Sequence, residues 1–149
     1  MKLVFAAALV ATLGAAALPT TAVPPSILVY KSPSCGCCKA WMDHLSQNGF
    51  KVTGKDMDDV QPMKDEVGLP AKLASCHTAI VDGYVIEGHV PAADVQRLLK
   101  ERPRAVGIAV PGMPIGSPGM EVATVKPQPY DVLAFDKAGQ TTVFASHGR

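Results

Sequence analysis

The stretch Ser34-Cys35-Gly36-Cys37-Cys38-Lys39-Ala40-Trp41 sets the reading of the whole chain. Three of the four cysteines fall within four positions, and Cys35 and Cys38 have C-x-x-C spacing. The segment before it, Ser26-Ile27-Leu28-Val29-Tyr30, is apolar and β-branched and predicts a buried strand. Lys31-Ser32-Pro33 turns the chain. Ser34 or Cys35 then caps a helix that runs to about Asn48, with Gly49 as its C′ residue. The thiols therefore stand at a helix N-terminus, where unpaired N–H groups and the helix dipole favour thiolate. Thiolates there suit soft metal ions or disulfide exchange.

The fourth thiol, Cys76, is followed at once by His77. Between the two motifs the pattern predicts a strand at Phe50–Thr53. A short helix follows, capped by Asp58 or Asp59, with Pro62 in its first turn and Gly68 at its end. After the second motif come a strand at Thr78–Val81, an Asp82-Gly83 turn, a partner strand at Tyr84–Glu87 and a helix at Ala92–Lys100. The order is β-α-β-α-β-β-α. With a cysteine motif at the first strand-to-helix junction, it resembles the thioredoxin fold. From Val106 onward the chain changes character. A short strand, a Pro/Gly/Met loop (Pro111–Met120) and a β-hairpin (Tyr130–Phe135 with Gln140–Ala145) read as an extension appended to one α/β domain spanning 23–149.

Composition narrows the function. The chain has 149 residues, 48% of them hydrophobic, enough to bury one core. Net charge is +1 with no Lys/Arg cluster, and aromatics are 5%. Both argue against nucleic acid as a partner, and the charge argues against an anionic membrane surface. Lys2 followed by the apolar run Leu3–Leu18 and the small residues Thr20-Thr21-Ala22 reads as an export signal, residues 1–22, removed on maturation. The run is short for a membrane span. The mature chain is then expected outside the cytoplasm, in the periplasm of a Gram-negative cell. Exported cysteines usually form structural disulfides, but bridges inside so tight a tract close tiny loops and restrain the unfolded chain little.

Each further donor has an ordinary alternative. In a strand, neighbours point to opposite faces, so Cys76 rather than His77 is expected to aim at the helix tip. His77 is read as a ligand, as a partner that hydrogen-bonds a ligand from behind, or as a solvent-facing residue. His89 is placed to swing toward the site from the turn before the last helix. Met113 and Met120, seven apart in the Pro/Gly loop, suit a soft metal as thioethers or serve as a lid. His44, two helical turns from Cys37, lies about 10 Å from the tip and reads as a surface histidine. His147, near the C-terminus, is expected to be mobile. No phosphate loop, paired carboxylates or Ser/His/Asp set is found, so no catalytic residue is assigned.

Longer motifs carry a resemblance. They are Tyr30-Lys31-Ser32-Pro33-Ser34-Cys35-Gly36-Cys37-Cys38, Cys76-His77-Thr78-Ala79, Glu87-Gly88-His89-Val90-Pro91-Ala92, and Ala109-Val110-Pro111-Gly112-Met113-Pro114 with Gly116-Ser117-Pro118-Gly119-Met120. Together they resemble the CopG-type family of exported copper-resistance proteins. The resemblance implies a thioredoxin-like fold. It also implies Cu(I), several ions in a small cluster, held by Cys35, Cys37, Cys38 and Cys76, with His77, His89, Met113 and Met120 completing the coordination. Copper and other periplasmic copper-handling proteins are the partners it implies. Two other readings stay open: a thiol–disulfide oxidoreductase using Cys35 and Cys38, and a structural Cys₃His zinc site from Cys35, Cys38, Cys76 and His77.

Overall fold

The structure is a computed structural model that describes residues 23–149. The expected export signal, 1–22, lies outside the described residues. The elements are β1 (Ser26–Lys31), α1 (Gly36–Gln47), β2 (Lys51–Asp56), α2 (Gln61–Glu66), a 3₁₀ turn (Ala71–Leu73), β3 (His77–Val81), β4 (Tyr84–Glu87), α3 (Ala92–Glu101), β5 (Gly107–Ala109), β6 (Tyr130–Phe135) and β7 (Thr141–His147). The order predicted up to α3 is the order observed. Only the 3₁₀ turn falls where the sequence predicts a loop.

All seven strands form one mixed sheet in the order β2-β1-β3-β4-β5-β6-β7. β1/β2 and β4/β5 are parallel, and the other neighbours are antiparallel. The two-residue turn Asp82-Gly83 has φ of 48° and 85°, the left-handed pair that a tight hairpin needs. It brings Thr78 opposite Glu87 on neighbouring strands.

Side-chain alternation divides the core in two. On one face Trp41 and Leu45 of α1 and Val95 and Leu98 of α3 pack on Ile27, Val29, Ala79, Val81, Ile86 and Ile108. On the other face Leu73 packs with Val85, Ala109 and Phe135. Fully burying one such side chain stabilises the fold by about 1.5–3 kcal/mol.

The C-terminal hairpin, expected as an appendage, is built into the sheet. β5 presents a free edge, and β6 satisfies its backbone groups in antiparallel register. Val132 and Phe135 then sit in the two cores, at 0% and 1% exposure. His147, expected to be mobile, is held at the end of β7. Its Nε2 lies 2.6 Å from Asp94 Oδ2 on α3, and its ring stacks on Tyr130. A hydrogen bond across the fold and the stacked ring outweigh the fraying that chain position alone suggests. Among the described residues no helix is long and apolar enough to cross a membrane.

Candidate metal centre

The site forms where three segments meet: the tip of α1, the turn into β3, and the turn between β4 and α3. Cys35 occupies the N-cap of α1, and its Sγ accepts from the Cys38 backbone N–H at 3.3 Å. Cys35 and Cys38 are joined by a disulfide across one helical turn, with Cα atoms 5.3 Å apart. Cys37 and Cys76 are free thiols. Cys37 Sγ is 3.6 Å from Cys35 Sγ and 4.0 Å from Cys76 Sγ. Each of the four cysteines offers a sulfur within 4.8 Å of the others. The bond between Cys35 and Cys38 occupies two of the four thiols that the sequence reading assigned to metal. The expected Cys₃His zinc set loses two of its ligands for as long as that bond stands.

Cys76 and His77 do not diverge as the alternation argument expects. Cys76 lies in a bend just before β3, so strand geometry governs only His77. Cys76 Sγ is 3.3 Å from His77 Nδ1 and 3.1 Å from His89 Nε2. Cys76, His77 and His89 thus make a second convergent group that shares Cys76 with the first. His77 is fully buried and packs against Trp41, ring centroids 4.3 Å apart. It is not solvent-facing.

His89 is oriented from behind. Its Nδ1 lies 2.8 Å from the Pro118 carbonyl, which fixes Nδ1 as the protonated nitrogen and leaves Nε2 free to accept. Trp41 Nε1 donates to Val90 O at 2.8 Å and ties the same turn to α1. Pro118 belongs to the Pro/Gly/Met loop, so that loop closes over the site. At Gly119 (φ 84°) a Cβ would come within 2.8 Å of Cys37 O and of Trp41 N, so the loop approaches α1 as closely as only glycine allows. Met113, on the same loop, is 50% exposed, and Met120 is partly buried.

Burial governs the protonation states. It is the largest cause that pushes the Cys76 thiol up to about 12, with Cys37 adding to it. Cys76 lies outside α1, and the helix N-terminal effect is expected only for the thiols of the Cys35–Cys38 tract. Burial, with His89 next, brings His77 down to about 3. His89 is lowered as well, again by burial, partly offset by the Pro118 carbonyl. Two neutral imidazoles and two free thiols form the inner surface. His77 Nε2 is buried without a hydrogen-bond partner among the described residues. Sulfur and neutral imidazole donors at these distances fit a soft metal ion.

Sequence reading missed what supports the site. His44 is no idle surface residue: its Nε2 accepts from Ala92 N–H at 3.0 Å and caps α3. On the opposite face of the sheet, Lys64 Nζ lies 2.5 Å from Glu87 Oε1 and 2.9 Å from Thr78 Oγ1. Thr78 donates to Glu87 Oε2 at 2.6 Å, and the Ser75 N–H donates to Glu87 Oε1 at 2.6 Å. This buried network holds the bend that carries Cys76. Ser75 Oγ also donates to Gly112 O at 2.5 Å and fastens the covering loop. No local pattern in the sequence pairs Lys64 with Glu87, 23 positions apart.

The chain has relatives among known proteins. Residues 73–120 match a family model described as a protein of unknown function, DUF411. No curated protein matches the chain. Two solved structures do match: copper resistance protein copG, form 2 and form 1. Both are 46% identical to this chain with a TM-score of 0.79. Form 2 aligns over 84% of this chain and 99% of its own, and form 1 over 85% and 99%. At that identity and coverage, this chain belongs to the CopG family of copper resistance proteins.

Proposed function

We propose that this chain binds Cu(I) through Cys35, Cys37, Cys38 and Cys76 and serves copper resistance outside the cytoplasm. One observation carries the reading: the Cys35–Cys38 tract and Cys76, 38 or more positions further on, bring four sulfurs within 4.8 Å of one another, and Cys76 also converges with His77 and His89. Copper is the cargo. Each thiolate can bridge two ions, so four sulfurs suit a small cluster rather than a single ion. His77 and His89 complete the coordination, and Met113 and Met120 add thioethers from the covering loop. The copper resistance names of the related structures support the choice of metal. The β2-β1-β3-β4 order, with the cysteine motif between β1 and α1, supports a thioredoxin-like core within one metal-binding domain. Removal of 1–22 as an export signal, a periplasmic location, and exchange of copper with other copper-handling proteins there belong to the same reading.

The test uses the chain from Val23, fully reduced and without oxygen. Cu(I) is titrated against a competing chelator, and bound metal is counted beside Cys76→Ser. More than one tightly held copper per chain, reduced in the variant, is the expected result. One copper or none, with the variant unchanged, would sink the cluster.

The disulfide between Cys35 and Cys38 favours a second reading, thiol–disulfide exchange. Insulin reduction by the reduced chain, abolished in Cys35→Ser, would favour that reading.

A further inference from the structure

We infer that the Cys35–Cys38 disulfide is a gate on the metal capacity of the site, opened by a dithiol that enters beside Cys35. The inference rests on the copper reading and adds its regulation. With the bond in place, the sulfur donors are Cys37 and Cys76, 4.0 Å apart, beside the His89 Nε2 at 3.1 Å from Cys76. That set suits one ion. With the bond open, the same small volume holds four thiols, because all four sulfurs already lie within 4.8 Å of one another. No large rearrangement is needed to pass from one donor set to the other.

The two bonded sulfurs differ in access. Cys38 is 0% exposed, whereas Cys35 is partly exposed and lines a cleft of about 350 Å³. Lys31, Ser34 and Lys39 stand on the cleft walls. A thiolate of the incoming dithiol therefore reaches Cys35 Sγ. Its attack forms a mixed disulfide and breaks the bond to Cys38, which leaves as thiolate and takes up a proton. The second thiol of the reagent then attacks the reagent's own sulfur in the mixed disulfide and releases Cys35 as a thiol. The reagent ends as a disulfide. Two electrons and two protons have passed to the chain.

The decisive measurement compares two preparations of the wild-type chain from Val23. One keeps the disulfide and shows two alkylatable thiols. The other is treated with dithiothreitol, desalted without oxygen, and shows four. Each is loaded with Cu(I) against a competing chelator, bound copper is measured by elemental analysis, and thiols are counted again afterwards. Bound copper per chain is expected to rise roughly twofold on reduction, as the thiol donors go from two to four. The Cys35→Ser/Cys38→Ser double variant should hold the lower amount whether or not it is treated. Equal capacity in both wild-type preparations, with the bond still intact in the first, overturns the gate and leaves the copper reading standing. No copper in either preparation overturns both.

Discussion

The two faces of the sheet at the top of β3 carry two buried polar clusters of opposite character. Thr78 and its register partner Glu87 face Lys64, and every group there has a partner: the ammonium, both carboxylate oxygens, the hydroxyl and the Ser75 N–H. One residue away, His77 faces Trp41 with an unpartnered Nε2, near soft donors that touch mainly one another. A buried charge is tolerated when its hydrogen bonds are complete. Buried donors without partners are kept for a ligand more often than for stability. The matched face builds the protein, and the unmatched face gives it something to do.

The sharpest way to break this contrast is to spoil the matched face. Glu87→Ala strands Lys64 at 5% exposure, and the expected loss is about 3–5 kcal/mol in urea unfolding. The double change Lys64→Met/Glu87→Leu should recover most of it, because no uncompensated charge remains. A loss below about 1 kcal/mol for the single variant would show that the network does not carry the bend.

The next effect sharpens the unmatched face through pH. Folded His77 titrates at about 3, against 6.5 for an ordinary histidine. Between those values the unfolded chain binds a proton that the folded chain refuses. The stability of the metal-free chain is therefore full above pH 6.5 and falls as the pH drops toward 3. His89, also lowered by burial, acts in the same direction. Glu87 acts in the opposite one. Burial raises it above 4.5, so the folded chain keeps its proton longer, and stability falls with rising pH just above that value. Between about pH 7 and pH 4 the His77 contribution amounts to about 2–3 kcal/mol. Urea unfolding across that range should show His77→Gln losing less than wild type. Parallel curves for the two would contradict a neutral buried imidazole.

The smallest effect is at the rim. His147 meets Asp94 at 2.6 Å, with the histidine one-third exposed. Asp94→Asn is expected to cost no more than about 1 kcal/mol in thermal or urea unfolding, with copper binding unchanged. A change in copper binding would place the C-terminal hairpin in the site's machinery rather than only in the sheet.

Much of this protein is readable locally. The helix after Cys35, its stop at Gly49, the Asp82-Gly83 hairpin and the α3 stop before Pro103 follow from capping, positive-φ turns and proline chemistry. These act over a few residues and leave a trace in the sequence. The cysteine tract likewise announces soft-donor chemistry by spacing alone. What tertiary structure decided acts over long separations. It set His77 and His89 on the same sulfur, His44 on the N-terminus of α3, Lys64 against Glu87, and the C-terminal hairpin on the edge of β5. It also paired Cys35 with Cys38 while leaving Cys37 free between them. Sequence lists the possible donors and partners. Which of them meet depends on strand register, burial and the direction each side chain leaves the backbone, and these exist only once the sheet has closed around its two cores.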